Sequence, residues 1–266
     1  MGRVRILFAF LVLALPFADI QVVQAEPVPA RPAVIRGNVW YLKDALTSGV
    51  AETAFAYGSS SDDFRFMGDW DNDGVKTPGI RRGNVRHLRN SNSTGFADFV
   101  FKYGLTTDYP IVGDWDGDGD DTPGVVRFGF GDPQLCSGDR HMVWYLRNSN
   151  TAGFADEVVK FGCAATQPVV GDWDGDGDDT PGTWSGHEWS LNNELDGTAD
   201  ETFRFGSLLN DPIVGDWDGD EDETVGVVNG DTWYLLNEHV TSSSADSSFR
   251  YGYGPDWKMI WGDASV

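Results

Sequence analysis

The stretch GDWDGDGDDTPGVV, residues 113–126, decides the fold because it recurs along the chain. Related stretches begin at Gly68, Gly171 and Gly215, and a shortened copy, WGDASV, occupies residues 261–266. The first aspartates of successive copies are 45, 58, 44 and 47 residues apart. A period of this length indicates a repeat protein in which each copy is one supersecondary unit.

Two further segments recur with the acidic stretch. A Trp-Tyr-Leu-like segment begins at Val39, Val85, Val143, Glu188 and Thr232. A second segment follows each of these, as in ADFVFKYG at 97–104, whose alternating aromatic residues predict a strand. Each repeat therefore predicts four short strands separated by turns, which is typical of a β-propeller blade. A β-solenoid is the alternative, although its repeats are usually shorter.

The two ends of the repeat region predict a closed ring. We label the strand before each acidic loop A and the three strands after it B, C and D. The segment PAVIRGNVWYLK from Pro32 matches PGIRRGNVRHLR from Pro78, so it supplies strands B, C and D of one blade. The shortened copy with Asp263 supplies the missing A strand, which closes the ring. The sequence therefore predicts an all-β, five-bladed propeller over residues 32–266.

The acidic loops have the pattern of a calcium-binding loop. In Asp-x-Asp-x-Asp-Gly, the side chains at positions one, three and five converge on one ion, and glycine at position six allows a sharp turn. Position seven adds a backbone carbonyl and a ninth residue closes the shell. The alternative is that Asp-Gly pairs only form hairpin turns. Turns do not require three alternating carboxylates, and crowding these charges without a cation is unfavourable.

We therefore expect up to four Ca²⁺ ions. The expected ligands are Asp69, Asp71, Asp73, Val75 and Thr77; Asp114, Asp116, Asp118, Asp120 and Thr122; Asp172, Asp174, Asp176, Asp178 and Thr180; and Asp216, Asp218, Asp220, Asp222 and Thr224. The loops at Asp114 and Asp172 are expected to bind most tightly. The loop at Asp216 has Glu221 where glycine is favoured, and the copy at Asp263 is expected to bind no ion.

The loops resemble the FG-GAP and VCBS-type repeats, the calcium-bearing propeller blades of integrin α subunits and of many exported bacterial proteins. The resemblance covers the chain from about Pro32 onward. It implies calcium sites that stiffen a propeller. The family is usually seven-bladed and has an acidic ninth position, whereas this chain has five repeats and threonine there. The resemblance therefore implies weaker sites, which Asp121, Asp179 and Glu223 at position eight would partly compensate.

Residues 1–25 have the pattern of a secretory signal peptide. Arg3 and Arg5 precede an apolar run at 6–15, and Val-Gln-Ala at 23–25 forms a cleavage signal. The apolar run is too short to span a bilayer. We expect residues 26–31 to form a short linker and the protein to be secreted into the extracellular space.

The charge of the chain limits its partners. The net charge is −23 for the whole chain and −24 without residues 1–25. Nucleic acids and anionic membrane surfaces would repel such a chain, so we expect no nucleic-acid partner and no membrane insertion. The sequence gives no prediction of oligomeric state.

Cys136 and Cys163 are the two cysteines of the sequence. In an exported protein a pair of cysteines favours one disulfide. Cys136 lies in an insert at 129–140 between strands B and C, and Cys163 follows strand D of the same blade. Both positions fall on one face of the ring, which predicts a disulfide between them. The alternative is that the two residues lie beyond bonding reach.

Tryptophan and aspartate recur at further equivalent positions. A tryptophan at position two of each loop predicts packing between blades. Trp184 and Trp257 break the repeat pattern, which makes them candidate exposed platforms for sugar. Equivalent aspartates after the C strands are expected to cap turns; these are Asp98, Asp156, Asp200 and Asp246.

These patterns favour a binding or adhesion module for a polysaccharide or a cell-surface protein. A secreted glycan hydrolase or lyase is the alternative, because propellers also carry active sites in their central channel. A purely structural exported protein is a third possibility. The sequence contains no Gly-x-Ser-x-Gly, His-Glu-x-x-His or phosphate-loop motif, so no catalytic residue is predicted and the enzyme remains the weaker interpretation.

Overall fold

The structure is a computed structural model that describes residues 29–129, 136 and 140–261. The predicted signal peptide, the first half of the linker, Asp263 and most of the insert at 129–140 lie outside the described residues. Within the described residues there are twenty strands and no helix, so the all-β prediction is confirmed. No helix in this part of the chain is long and apolar enough to cross a membrane.

The strands form five four-stranded antiparallel sheets, each with the order A-B-C-D. Blade I consists of β20 (Trp257–Trp261), β1 (Arg31–Arg36), β2 (Val39–Leu42) and β3 (Thr53–Ala56). Blade II consists of β4 (Phe64–Gly68), β5 (Thr77–Arg82), β6 (Val85–Leu88) and β7 (Phe99–Lys102). Blade III consists of β8 (Tyr109–Gly113), β9 (Thr122–Phe128), β10 (His141–Leu146) and β11 (Glu157–Cys163).

The last two blades repeat the same arrangement. Blade IV consists of β12 (Gln167–Gly171), β13 (Thr180–Trp184), β14 (Glu188–Leu191) and β15 (Glu201–Arg204). Blade V consists of β16 (Asp211–Gly215), β17 (Thr224–Asn229), β18 (Thr232–Leu235) and β19 (Ser247–Arg250). The A strands contact one another in the order β20, β4, β8, β12, β16 and back to β20, so they form an inner ring. The five-bladed propeller is confirmed.

Strand β20 closes the ring as predicted. It pairs antiparallel with β1, with Trp261 opposite Arg31 and Trp257 opposite Ile35. Because β1 begins at Arg31, the last residue of the segment 26–31 already belongs to a strand. The pairing register places Trp261, opposite Arg31, where blade II has Gly68 opposite Thr77, so Trp261 takes the place of the glycine of Gly-Asp-Trp.

The core of each blade is built around the C strand. Four blades bury a tryptophan there completely, and its indole nitrogen donates to a backbone carbonyl at or just beyond the end of strand D, as from Trp40 to Tyr57 over 3.0 Å. The other three are Trp144, Trp189 and Trp233. Blade II has Arg86 at this position, equally buried and stacked on the ring of Phe66 at 5.0 Å.

The tryptophans at loop position two are also buried, which confirms the packing prediction. Trp173 packs with residues of blades IV and V, and Trp217 with residues of blades V and I, so they fill the space between blades. Trp184 is only 7% exposed and its ring packs at a tilt against Trp189, so the prediction that it is an exposed platform is wrong. Its position at the end of β13 directs it into the core. Trp257, by contrast, is 39% exposed.

Cys136 and Cys163 form a disulfide with a Cα–Cα distance of 5.8 Å, which confirms the predicted pairing. The bond ties Cys136 to the end of β11. Because a disulfide restricts the unfolded chain, it stabilises the blade that carries it.

Candidate functional site

Four aspartate triads lie at the A–B turns, all on one face of the ring. In each loop the carboxylates at positions one, three and five offer oxygen atoms within 4.8 Å of one another. Ca²⁺ binds oxygen at 2.3–2.6 Å, so ligands on opposite sides of the ion lie about 5 Å apart. The four triads therefore have the separation that a hard cation requires, and their all-oxygen chemistry suits Ca²⁺.

The aspartate at position one organises each loop. In blade III the buried carboxylate of Asp114 accepts from the backbone nitrogens of Asp118 at 3.2 Å and Gly119 at 2.7 Å. The equivalent residues Asp69, Asp172 and Asp216 accept from their own loops in the same way. These bonds curl the backbone around the carboxylate and bring positions three and five close to it.

The carboxylate at position three is held by an asparagine from the end of strand C. The side-chain nitrogen of Asn148 donates to Asp116 over 2.8 Å, and Asn237 donates to Asp218 over the same distance. Asn90 makes the equivalent bond to Asp71. Sequence reasoning missed these asparagines, although an Asn one or two residues after the Trp-Tyr-Leu segment was the available signal.

The predicted turn caps position these asparagines. The carboxylate of Asp156 accepts from the backbone nitrogen of Asn148 at 2.9 Å, which confirms the capping role. The carboxylates of Asp98, Asp200 and Asp246 accept equivalent bonds of 2.7–3.0 Å. In three blades the capping aspartate therefore supports the asparagine that orients a triad carboxylate.

Position six requires a left-handed backbone in every loop. Gly74, Gly119 and Gly177 have φ of 80°, 94° and 98°. Glu221 occupies this position in blade V with φ of 82°, which a side chain adopts only at a cost. The expected strain in the loop at Asp216 is therefore present in the structure.

Burial and neighbouring carboxylates raise the pKa of several loop aspartates. Burial, together with the neighbouring aspartates, raises the pKa of Asp120, Asp178 and Asp222 at position seven to about 7. Burial also raises the pKa of Asp114 and Asp172. A cation between these groups would remove the mutual repulsion, so the loops are electrostatically suited to a positive ion.

Positions eight and nine serve the scaffold in this structure. The carboxylate of Asp121 accepts from the backbone nitrogen of Asp69 in the preceding blade at 2.7 Å, and Asp179 does the same for Asp114 at 2.9 Å. They therefore face the neighbouring loop rather than their own. The hydroxyl of Thr122 donates to the carbonyl of Gly113 at 3.2 Å, and the other threonines repeat this bond across the hairpin. A ligand role for threonine stays a prediction.

A cavity of about 540 Å³ opens on the propeller axis. The first residues of all five A strands line it: Trp257, Phe64, Tyr109, Gln167 and Asp211. The A strands begin at this mouth and end at the acidic loops, so the cavity opens on the face opposite the triads. Sequence reasoning gave only Trp257 as a candidate here, because the lining position has a different residue in each blade.

No known protein-family model matches the sequence, and no curated protein matches it. A solved lectin structure from Agrocybe aegerita, described as recognising non-reducing terminal N-acetylglucosamine, aligns with a TM-score of 0.41 and 12% identity. The alignment covers 84% of this chain and 77% of the lectin chain. The resemblance to FG-GAP and VCBS repeats therefore stays a prediction.

Proposed function

We propose that this chain is a secreted propeller of the FG-GAP or VCBS type, in which calcium at the four acidic loops stiffens the ring and the opposite face binds a carbohydrate. The observation that carries the proposal is the set of four aspartate triads with mutual oxygen distances within 4.8 Å. The predicted signal peptide and the disulfide between Cys136 and Cys163 support an oxidising, extracellular location.

The arrangement of the triads favours a scaffold role for the ion. Each triad lies at a tight A–B turn that is hydrogen-bonded to its own backbone, to the adjacent loop and, in three blades, to an asparagine from the end of strand C. The backbone nitrogens at position eight also donate to the first aspartate of the preceding loop, from Asp121 to Asp69, from Asp179 to Asp114 and from Glu223 to Asp172, so the loops of blades II to V are bonded to one another. An ion held in one loop would therefore stabilise the junction between two blades.

The cavity favours binding over glycan hydrolysis. A glycosidase requires two carboxyl groups on opposite sides of the scissile bond. Asp211 and Asp256 both line the cavity, but the carboxylate of Asp256 is paired with Arg36 at 2.8 Å and its side chain is 1% exposed. Among the described residues, Asp211 is therefore the cavity carboxylate that takes part in no described ion pair, and it lies beside aromatic side chains.

Two measurements test the proposal. Metal analysis of the purified protein should find between one and four Ca²⁺ per chain, and a chelator should lower the melting temperature, because an ion that binds only the native state stabilises it. A glycan array, with hydrolysis assayed on the same sugars, should show binding without turnover. Less than one Ca²⁺ per chain would refute the metal role, and release of product would favour the enzyme.

A further inference from the structure

The lining of the axial cavity departs from the repeat in a systematic way. The loop aspartates, the C-strand tryptophans and the capping aspartates recur from blade to blade with few exceptions. The first residue of the A strand differs in every blade. It is aromatic in three adjacent blades (Trp257, Phe64 and Tyr109) and polar in the other two (Gln167 and Asp211). The cavity is therefore one asymmetric site rather than five equivalent ones.

The aromatic half of the cavity is rigid. The ring of Phe64 packs edge-to-face against Tyr109 at 5.1 Å and against Trp257 at 5.9 Å. The guanidinium of Arg65 lies 5.4 Å from the Trp257 ring, and its nitrogens donate to the backbone carbonyls of Ser59 and Asp62. Trp257 is thus fixed in position while 39% of its surface remains exposed. An aromatic face held this way can receive a ligand with little ordering cost.

The polar half offers hydrogen-bonding groups of different kinds. Gln167 and Asp211 are exposed, one with an amide and the other with a carboxylate. Lys258 follows Trp257, lines the same cavity, and donates to the carbonyl of Gly254 at 2.6 Å. Burial lowers the pKa of Lys258, and the negative charge of the nearby Asp211 acts in the opposite direction. Donors and acceptors therefore lie next to an apolar face inside one concave surface.

We infer that this cavity binds one pyranose ring of a glycan, with the C–H face of the sugar on Trp257 and its hydroxyl groups on Asp211, Gln167 and Lys258. A pyranose combines one flat apolar face with a rim of hydroxyl groups, and the cavity presents the complementary pair of surfaces. A volume of about 540 Å³ accommodates one or two sugar rings. This inference rests on the proposed carbohydrate-binding function and names its site.

The test measures binding of methyl pyranosides of glucose, galactose, N-acetylglucosamine and glucuronic acid to the full chain with Ca²⁺ present. Saturation-transfer NMR reports the binding, and protection of tryptophan fluorescence from acrylamide reports the location. We expect Trp257→Ala and Asp211→Asn each to weaken the best binder at least tenfold. Asp211→Asn is the safer variant, because Asp211 is exposed and pairs with Val228 through its backbone.

Phe96→Ala is the matched control, because Phe96 is an aromatic residue 93% exposed on a C–D turn, which lies on the opposite face. It should leave the affinity unchanged. Two results would overturn the inference. If sugars bind equally well to wild type, Trp257→Ala and Asp211→Asn, the carbohydrate function stands but the site is elsewhere. If no sugar binds in NMR or on the array, the carbohydrate function itself fails, whatever the calcium content.

Discussion

The carboxylate of Asp121 accepts a 2.7 Å hydrogen bond from the backbone nitrogen of Asp69, which begins the acidic loop of the preceding blade. The acidic loops are consequently not independent turns. The loops of blades III and IV each carry a triad and also hold the first aspartate of the preceding loop, so neighbouring loops on this face are bonded to one another. Ala30 extends the pattern into blade I, because its nitrogen donates to the carbonyl of Asp216 at 2.6 Å.

Asp121→Ala should therefore destabilise the acidic loop that begins at Asp69, in the blade before the one that contains Asp121. The buried nitrogen of Asp69 would lose its acceptor, and an unpaired buried donor costs about 1–3 kcal/mol. Chemical denaturation with Ca²⁺ present measures this loss, and metal analysis should show reduced occupancy. Asp121→Asn retains an acceptor oxygen and should lose much less stability. Equal losses in both variants would mean that the charge, and not the hydrogen bond, matters.

Glu221→Gly should stabilise blade V. Glycine adopts the φ of 82° found at this position without the steric penalty of a side chain, a gain of about 1 kcal/mol. The gain should appear as a higher melting temperature and tighter Ca²⁺ binding. The reciprocal control is Gly177→Ala, where an added Cβ meets nothing within 4 Å and φ is 98°. That variant should lose a similar amount, and an unchanged stability would exclude backbone strain as the cause.

The stability of the calcium-free protein should depend on pH in a defined direction. The folded-state pKa of Asp120, Asp178 and Asp222 is raised to about 7, above the value of about 4 in the unfolded chain. The native state therefore binds more protons between these values, and the contribution of these groups falls as pH rises from 4 to 7.

Substitution of all three residues by asparagine should remove this pH dependence. In chelator, the triple variant should gain stability over wild type as the pH is raised from 5 to 8, measured by urea denaturation. Saturating Ca²⁺ should reduce the difference, because the cation offsets the same repulsion. A constant difference across this range would contradict the electrostatic account of the loops.

Much of the fold was predictable because its determinants recur. The recurrence of Asp114 and its equivalents predicts the number of blades. The similarity of the segments that begin at Pro32 and Pro78 predicts that β20 completes the first blade and closes the ring. The disulfide followed from the placement of Cys136 and Cys163 on one face. These features depend on local sequence patterns whose spatial relation is fixed by the blade topology.

The axial site and the supports of the triads were not predictable in the same way. Phe64, Tyr109 and Gln167 share no side-chain type, and only the ring brings them together. In the sequence, Asn148 resembles an ordinary turn residue, and only the structure shows that its side-chain amide donates a hydrogen bond to Asp116. Trp184 failed as an exposed platform because a tryptophan outside the repeat pattern can still point into the core.

Arg86 marks another local departure from the repeat. Its side chain is 1% exposed, and its guanidinium donates to the carbonyl of Gly124 at 2.8 Å, with no carboxylate among the described hydrogen bonds and ion pairs it makes. Replacing a buried charge by an apolar residue of similar volume is often neutral or stabilising. Arg86→Met should therefore leave the free energy of unfolding unchanged or raise it by about 1–2 kcal/mol.

The neighbouring Phe66 makes a second test possible. Blades III and V have isoleucine where blade II has Phe66, so the larger ring compensates for the missing tryptophan. Arg86→Trp alone should overpack the blade and destabilise it. Combining it with Phe66→Ile should recover that loss, which a double-mutant cycle measures as a coupling energy. Additive effects would show that the side chains at positions 66 and 86 do not compete for the same volume in the core.

Removal of the disulfide should destabilise blade III. The bond closes a chain separation of 27 residues, for which the loss on removal is about 3 kcal/mol. Denaturation of a Cys136→Ser, Cys163→Ser double variant measures this difference. The single substitution Cys163→Ser should cost a similar amount, because it already breaks the bond. A variant as stable as wild type would show that the disulfide does not stabilise the blade.

The pairing of β20 with β1 has a consequence for how the chain acquires its structure. Blades II to V are each continuous in sequence, whereas blade I joins segments more than 200 residues apart. During synthesis the first three strands of blade I emerge without their partner and wait until every other blade has been made. Closure of the ring is thus the last step of folding. In a circular permutant opened between blades II and III, the junction between those two blades would form last, and the folded structure would be the same.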